Sequence, residues 1–228
     1  NAGYPCLAVA YFGTPDTPQN LVMIPLEYFE SAITYFLKKP ELEGKKLVVY
    51  GYSKGGELAL LLASRYPQIT GVIARVPSSV VFQGLGQSAY KPDKSSWSIE
   101  GIGLPFVPYV PYDYSKQKEN HYLELYTLSL RQADKVSKAI IPVEQINGPL
   151  LLVSAQDDTV WPSTSMCDAI CSRLKESSFP HPYKHLSYEN CGHTISEYYL
   201  MGGSREGNKK ARIDMEREIL HFLDKMSQ

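Results

Sequence analysis

Cysteine is scarce in this 228-residue chain, and the four present, Cys6, Cys167, Cys171 and Cys191, are too unevenly spaced for a disulfide framework or a zinc site. A reducing, cytoplasmic setting is the expectation that follows. Long apolar runs are also missing. Stretches such as Leu58 to Ala63 and Leu150 to Val153 fall far short of the roughly 18 residues a membrane-spanning helix needs, so no membrane partner is expected. The run from Cys6 to Phe12 has no basic region before it and no small-residue cleavage site after it, which speaks against a signal peptide. Nor is there an excess of charge of one sign. With 23 Lys+Arg against 24 Asp+Glu the net charge is −1, and a nucleic-acid-binding surface is not expected. Internal repeats and low-complexity tracts are absent too. At roughly 150 residues per domain the length corresponds to one domain, or one and a half, with room for a large core. What is plentiful is tyrosine. There are 17, many between Tyr90 and Tyr126, which suggests a pocket or lid with apolar walls and polar tips.

Short apolar runs alternate with longer helical patterns, the mark of an α/β protein with a parallel sheet flanked by helices. Pro5 to Phe12 reads as a buried strand, ended by a loop containing Pro15 and Pro18. A helix is predicted from about Pro25 to Lys38, with Phe29, Ile33, Phe36 and Leu37 on its apolar side. Leu47-Val48-Val49-Tyr50 is too short for a helix and leads into Gly51-Tyr52-Ser53-Lys54-Gly55-Gly56. Glu57 to Tyr66 then reads as a helix buried against a sheet. Thr70 to Val76 and Leu150 to Ala155 read as interior strands, and Tyr183 to Tyr188 as a short one. Helices are predicted over about Ser163 to Lys175 and Lys209 to Met226. Between Val81 and Gly148 the periodicity fails and prolines accumulate, so residues 82–148 are read as a lid-like insertion within a single domain spanning 1–228.

Gly51-Tyr52-Ser53-Lys54-Gly55 matches the Gly-x-Ser-x-Gly nucleophile elbow, in which a sharp strand-to-helix turn strains the serine backbone and exposes its hydroxyl. The pattern alone is weak, but here an apolar run precedes it and a buried helix follows. That context also aims the Lys54 N–H and a helix N-terminus at a developing oxyanion. The alternative is a structural serine in a glycine turn. A serine nucleophile needs a base and an acid, which elbow proteins supply in the order Ser, acid, His. Asp157 and Asp158 follow the strand ending at Ala155, where open α/β sheets keep their sites. Either could orient an imidazole, and either could instead precede the helix at Ser163. Of five histidines, only His193 lies in a small-residue turn after a strand. Its rival reading is a surface-loop histidine. Cys167 and Cys171 read as a buried apolar pair and Cys191 as packing.

With these residues in place, the chain resembles the C-terminal catalytic domain of the acyl-CoA thioesterase and bile acid-CoA:amino acid N-acyltransferase family. The resemblance runs through Gly3-Tyr4-Pro5, Ala8-Val9-Ala10-Tyr11-Phe12, Pro25 to Glu30, and Gly51 to Leu58. It continues through Ile141-Pro142-Val143-Glu144, Ala155-Gln156-Asp157-Asp158 with Trp161, Cys191-Gly192-His193 and the last helix. It implies an α/β-hydrolase fold of the dienelactone-hydrolase-like kind. It also implies a Ser53, Asp158, His193 triad acting on a thioester, with Asp158 chosen because it falls three residues after Ala155. The amino acid N-acyltransferase branch carries cysteine at the nucleophile, so Ser53 points to water as acceptor. The implied reaction is hydrolysis of an acyl-CoA to free acid and CoA, a step of lipid metabolism. Lys54 would supply one oxyanion donor, and Trp97, Phe106, Tyr109, Tyr112 and Trp161 would wall the acyl pocket. No metal or organic cofactor is implied, and the partner is a small-molecule thioester or ester. Family members usually carry an N-terminal β-sandwich domain, and a strand and a Gly-rich oxyanion loop before the segment resembling Gly3 to Phe12. The expectation is that upstream residues or another chain supplies them. The rival readings are a carboxylesterase or dienelactone-hydrolase-like esterase on the same triad, and a catalytically silent hydrolase fold that binds a partner.

Overall fold

Leu150–Ala155 is aliphatic at five of its six positions and lies buried along its whole length, the composition of a strand covered on both faces. The computed structural model, which describes residues 3–86, 93–113 and 121–227, places it at the interior of a parallel sheet. In chain order the elements are β1 (Ile24–Pro25), α1 (Leu26–Leu37), β2 (Leu47–Tyr52), α2 (Lys54–Arg65), β3 (Ile69–Arg75), β4 (Trp97–Ile99) and β5 (Ile102–Gly103). They continue with α3 (Leu123–Ser129), α4 (Ala133–Ala139), β6 (Leu150–Ala155), α5 (Ser163–Glu176), β7 (Tyr183–Tyr188) and α6 (Arg205–Met226). No described helix is long and apolar enough to cross a membrane.

The chain divides into two compact units. The first comprises residues 1–45, 80–108 and 133–140. It holds a small sheet in the order β1-β4-β5, with β1 parallel and β5 antiparallel to β4. Its aromatic core joins Trp97, Phe29 and Tyr11, whose rings stand 5.2 to 6.3 Å apart. The strand expected over Pro5–Phe12 does not form. The segment makes no ladder with any described strand and is largely exposed, because an apolar run becomes a strand only where a neighbour takes up its backbone groups. It is tied down instead by Tyr11 and by the Tyr28 hydroxyl, which donates to the Ala10 carbonyl at 2.7 Å.

The second unit comprises residues 46–79, 109–132 and 141–228. Its sheet runs β2-β3-β6-β7, all parallel. Alternation of side chains along the strands assigns the layers. Val48, Ile73, Leu151, Val153 and Leu186 pack with Ala211, Met215, Ile219 and Phe222, so α6 covers that face. Gly51, Ala74, Leu152 and His185 share the opposite row. A Cβ on Gly51 would stand 1.9 Å from the Gly55 carbonyl oxygen in α2. Ser154, two residues on from Leu152, accepts from Thr164 of α5 at 3.1 Å, so α2 and α5 lie on that face. Leu152 is fully buried, and Leu152→Ala is expected to cost about 2–5 kcal/mol. Urea denaturation would show this as a lower midpoint at unchanged slope.

Four of the predicted strands and all of the predicted helices are present, most within a few residues of the expected ends. The last helix starts at Arg205 rather than near Lys209, because the Ser204 hydroxyl caps it by accepting from Gly207 N–H at 3.0 Å. Residues of the 82–148 insertion enter both units, with β4, β5 and α4 in the first and α3 in the second. Positions 87–92 and 114–120, Tyr90 among them, lie outside the described residues.

Candidate active site

At the end of β2 the chain must reverse into α2 within one residue. Ser53 does so at φ 56°, ψ −122°, a conformation that costs a non-glycine residue of order 1–3 kcal/mol. Three backbone hydrogen bonds hold it there. Its N–H donates to Arg75 at 2.9 Å, and its carbonyl accepts from Gly56 and Glu57 at 2.8 and 3.1 Å. The 1.9 Å approach at Gly51 explains why the turn takes glycine before the serine. Lys54 is the first residue of α2, so its N–H has no acceptor within the helix. Its side chain is buried and reaches Glu57 at 2.6 Å. Burial pulls the Lys54 pKa down, and the adjacent Glu57 opposes that shift.

β6 delivers two carboxylates with different fates. Asp157 is exposed, and its backbone N–H donates to Cys191 at 3.0 Å. Asp158 is buried. Its Oδ1 accepts from the N–H groups of Val160 and Trp161 at 2.9 and 3.1 Å, and its Oδ2 lies 2.8 Å from His193 Nδ1. The other ring nitrogen of His193, Nε2, lies 2.8 Å from Ser53 Oγ. His193 is itself buried. Its ring is flanked by Trp161 at 5.6 Å and Tyr52 at 5.3 Å between centroids. Burial pushes the Tyr52 hydroxyl up to about 12.

Aromatic side chains extend away from the imidazole. Trp161 meets Tyr126 at 5.3 Å, Tyr126 meets Tyr109 at 5.4 Å, and the two tyrosine hydroxyls stand 3.3 Å apart. The Trp161 indole N–H donates to Val76 at 3.1 Å. Of the expected wall residues, Trp161 and Tyr109 therefore belong to the ring series that starts at His193. Tyr112 is half-buried, with its hydroxyl donating to Glu124 at 3.0 Å. Trp97 and Phe106 belong to the first unit, where Trp97 is fully buried in the aromatic core. Tyr126 was recognisable only as one of many tyrosines, and its place in the series comes from the packing of α3. Cys191 and Cys167 are buried, and burial pushes the Cys191 thiol up to about 12 and the Cys167 thiol well up. In both cases burial favours the neutral thiol, in keeping with side chains that pack.

Four of the seven non-glycine positions at positive φ among the described residues follow β2, β3 and β7. Val76, Asn190 and Ile195 join Ser53 at positive φ, with values of 40°, 52° and 45°. Two of these are β-branched, for which the left-handed region is a true outlier. The sequence pattern identified only the serine, since nothing local marks the other three.

A family model described as the BAAT and acyl-CoA thioester hydrolase C terminal matches residues 24–200, a range that contains Ser53, Asp158 and His193. The chain belongs to that family. Among curated relatives, mouse peroxisomal succinyl-coenzyme A thioesterase is 27% identical over 98% of this chain and 54% of its own length. Human acyl-coenzyme A thioesterase 1 is 29% identical over 98% and 54%, and mouse acyl-coenzyme A thioesterase 3 is 32% identical over 97% and 52%. The chain thus spans about half the length of the curated relatives it matches. Among solved structures, dipeptidyl peptidase 4 of Porphyromonas gingivalis aligns with a TM-score of 0.51 at 15% identity over 87% of this chain and 22% of that one. An esterase of Pyrococcus furiosus aligns with a TM-score of 0.50 at 11% identity over 88% and 61%. At such identities the likeness is one of fold, and the fold is that of the α/β-hydrolases.

Proposed function

We propose that this chain is the catalytic part of a serine hydrolase that cleaves an acyl-CoA thioester to free acid and CoA through an acyl-enzyme. The observation that carries the reading is the unbroken hydrogen-bond series from Asp158 Oδ2 through both nitrogens of His193 to Ser53 Oγ, at 2.8 Å in each step. Asp158 is the acid in this scheme. With Oδ1 already held by two backbone N–H groups, its Oδ2 fixes the imidazole with the proton on Nδ1, leaving Nε2 free to act as base.

His193 Nε2 takes the Ser53 proton as Oγ attacks the thioester carbonyl. The oxyanion that forms is stabilised by the Lys54 N–H and by the N-terminus of α2. Collapse expels the CoA thiolate, to which the imidazolium returns its proton, and an acyl-serine remains. Water then loses a proton to Nε2, attacks the ester, and releases the acid with Ser53 restored. Of the ring series beside the imidazole, Trp161 and Tyr126 are buried and Tyr109 is partly exposed, so Tyr109 is the ring of that series placed to meet an acyl group. The names of the relatives support the thioester, and a serine at position 53 supports water as acceptor.

A fluorophosphonate probe should add one label to the protein, on the peptide containing Ser53, and pretreatment with it should stop thiol release from acyl-CoA. Faster turnover of a matched oxygen ester than of the thioester would reassign the substrate to oxygen esters. No adduct on folded protein would overturn the hydrolase reading in favour of a silent binding module.

A further inference from the structure

His193 sits on a loop that returns on itself. Residues 191 and 203 pair as an isolated antiparallel bridge, and the Ser204 N–H donates to Asn190 at 3.0 Å. Within this loop the Met201 carbonyl accepts from His193 N–H at 2.9 Å and from Thr159 N–H at 3.3 Å. One oxygen therefore joins the segment bearing the base to the segment bearing the acid. The contact is close. Gly202, at φ +102°, lies so near Asp157 that a Cβ on it would stand 1.7 Å from the Asp157 carbonyl oxygen.

Beneath the closure lies one side chain, Asn208, fully buried in the first turn of α6. A carboxamide offers two acceptor sites and two donors, and here all four are used. Oδ1 accepts from Gly192 N–H at 3.1 Å and from the Cys191 thiol at 3.4 Å. Nδ2 donates to the carbonyls of Gly202 and Ser204 at 3.1 and 2.9 Å. The amide thus grips the chain entering the loop, one residue before His193, and the chain leaving it, one residue after Met201. Three of the four partners belong to the loop, and the fourth, the Ser204 carbonyl, is the N-cap of α6.

We propose that Asn208 is a positioning residue that fixes His193 against Asp158 by clamping the two ends of the loop that carries the imidazole. This rests on the hydrolase reading for its catalytic consequence, but the clamp itself is a matter of geometry. An imidazole free to drift by about 1 Å would lose roughly a hundredfold in rate, even with Ser53, His193 and Asp158 intact.

Asn208→Asp tests it. The variant keeps the size and the acceptor side but sets an oxygen against two carbonyls. The expected result is a fluorophosphonate labelling rate at Ser53 about a hundredfold below the unsubstituted protein. The downfield proton resonance of the His193 Nδ1–H to Asp158 hydrogen bond should broaden or disappear, whereas Ser53→Ala should retain it. A folded Asn208→Asp protein that labels at the original rate and keeps that resonance would overturn the proposal. A second measurement needs no variant. In the unsubstituted protein the amides of Gly192 and His193 should exchange with solvent as slowly as those of the middle turns of α6. Exchange at open-loop rates would overturn the clamp. If Ser53 of the unsubstituted protein takes no label, the hydrolase reading fails, and amide exchange with the proton resonance still decides the clamp.

Discussion

Ser53→Ala is expected to lower kcat by about 10⁶-fold while the protein melts within a few degrees of its original temperature. The size follows from the role. When the nucleophile of such a triad is removed, the base and acid have nothing left to activate, and the loss is about as large as removing all three groups together. The small cost in stability follows from the geometry. The hydroxyl makes one side-chain hydrogen bond, to His193. The backbone of residue 53 is held by Arg75, Gly56 and Glu57 through bonds an alanine also makes. Steady-state thiol release from acyl-CoA, beside a thermal melt, measures both. A variant that retained a tenth of the rate would place the nucleophile elsewhere.

Asp158→Asn is expected to lower kcat by about 10⁴-fold, and Asp157→Asn to change it by no more than a few-fold. The carboxamide introduced at position 158 would keep an oxygen for the Val160 and Trp161 N–H groups, so the turn after β6 survives. The same arrangement directs its NH₂ at His193 Nδ1, which then accepts, and the ring proton moves to Nε2, where it blocks deprotonation of Ser53. Asp157 is exposed and contributes its backbone rather than its carboxylate to the neighbouring loop. Measured side by side, the two variants separate the carboxylates by about three orders of magnitude. Equal losses would overturn the assignment of Asp158.

How much of this was legible beforehand depends on how far apart in the chain the cooperating residues lie. The elbow was readable because strand, turn and helix occupy one continuous stretch, from Leu47 to Arg65. Period-2 and period-3.6 patterns announce the flanks, and glycines announce the tight turn. The strands β3, β6 and β7 and the helices beside them were readable for the same reason, as each is a local pattern of apolar residues between breakers. Pro5–Phe12 carries an equally good local pattern and forms no strand. A strand is completed by a neighbour's N–H and C=O groups, which the pattern of one segment does not encode.

From the sequence by itself came the α/β class, the serine at the strand-to-helix turn, and a histidine and a carboxylate placed after later strands, since each is a short-range feature of composition and spacing. Only the tertiary structure decided the rest. It set Asp158 against His193 and left Asp157 exposed, brought the aromatic rings of Trp161, Tyr126 and Tyr109 into series beside the imidazole, put Val76 and Ile195 into strained backbone, and set Asn208 under the loop of His193. The physical reason is common to all of these. His193 meets partners 35 and 140 residues away in the chain, and which groups face one another across such distances is set by how the sheet, its helices and its loops pack.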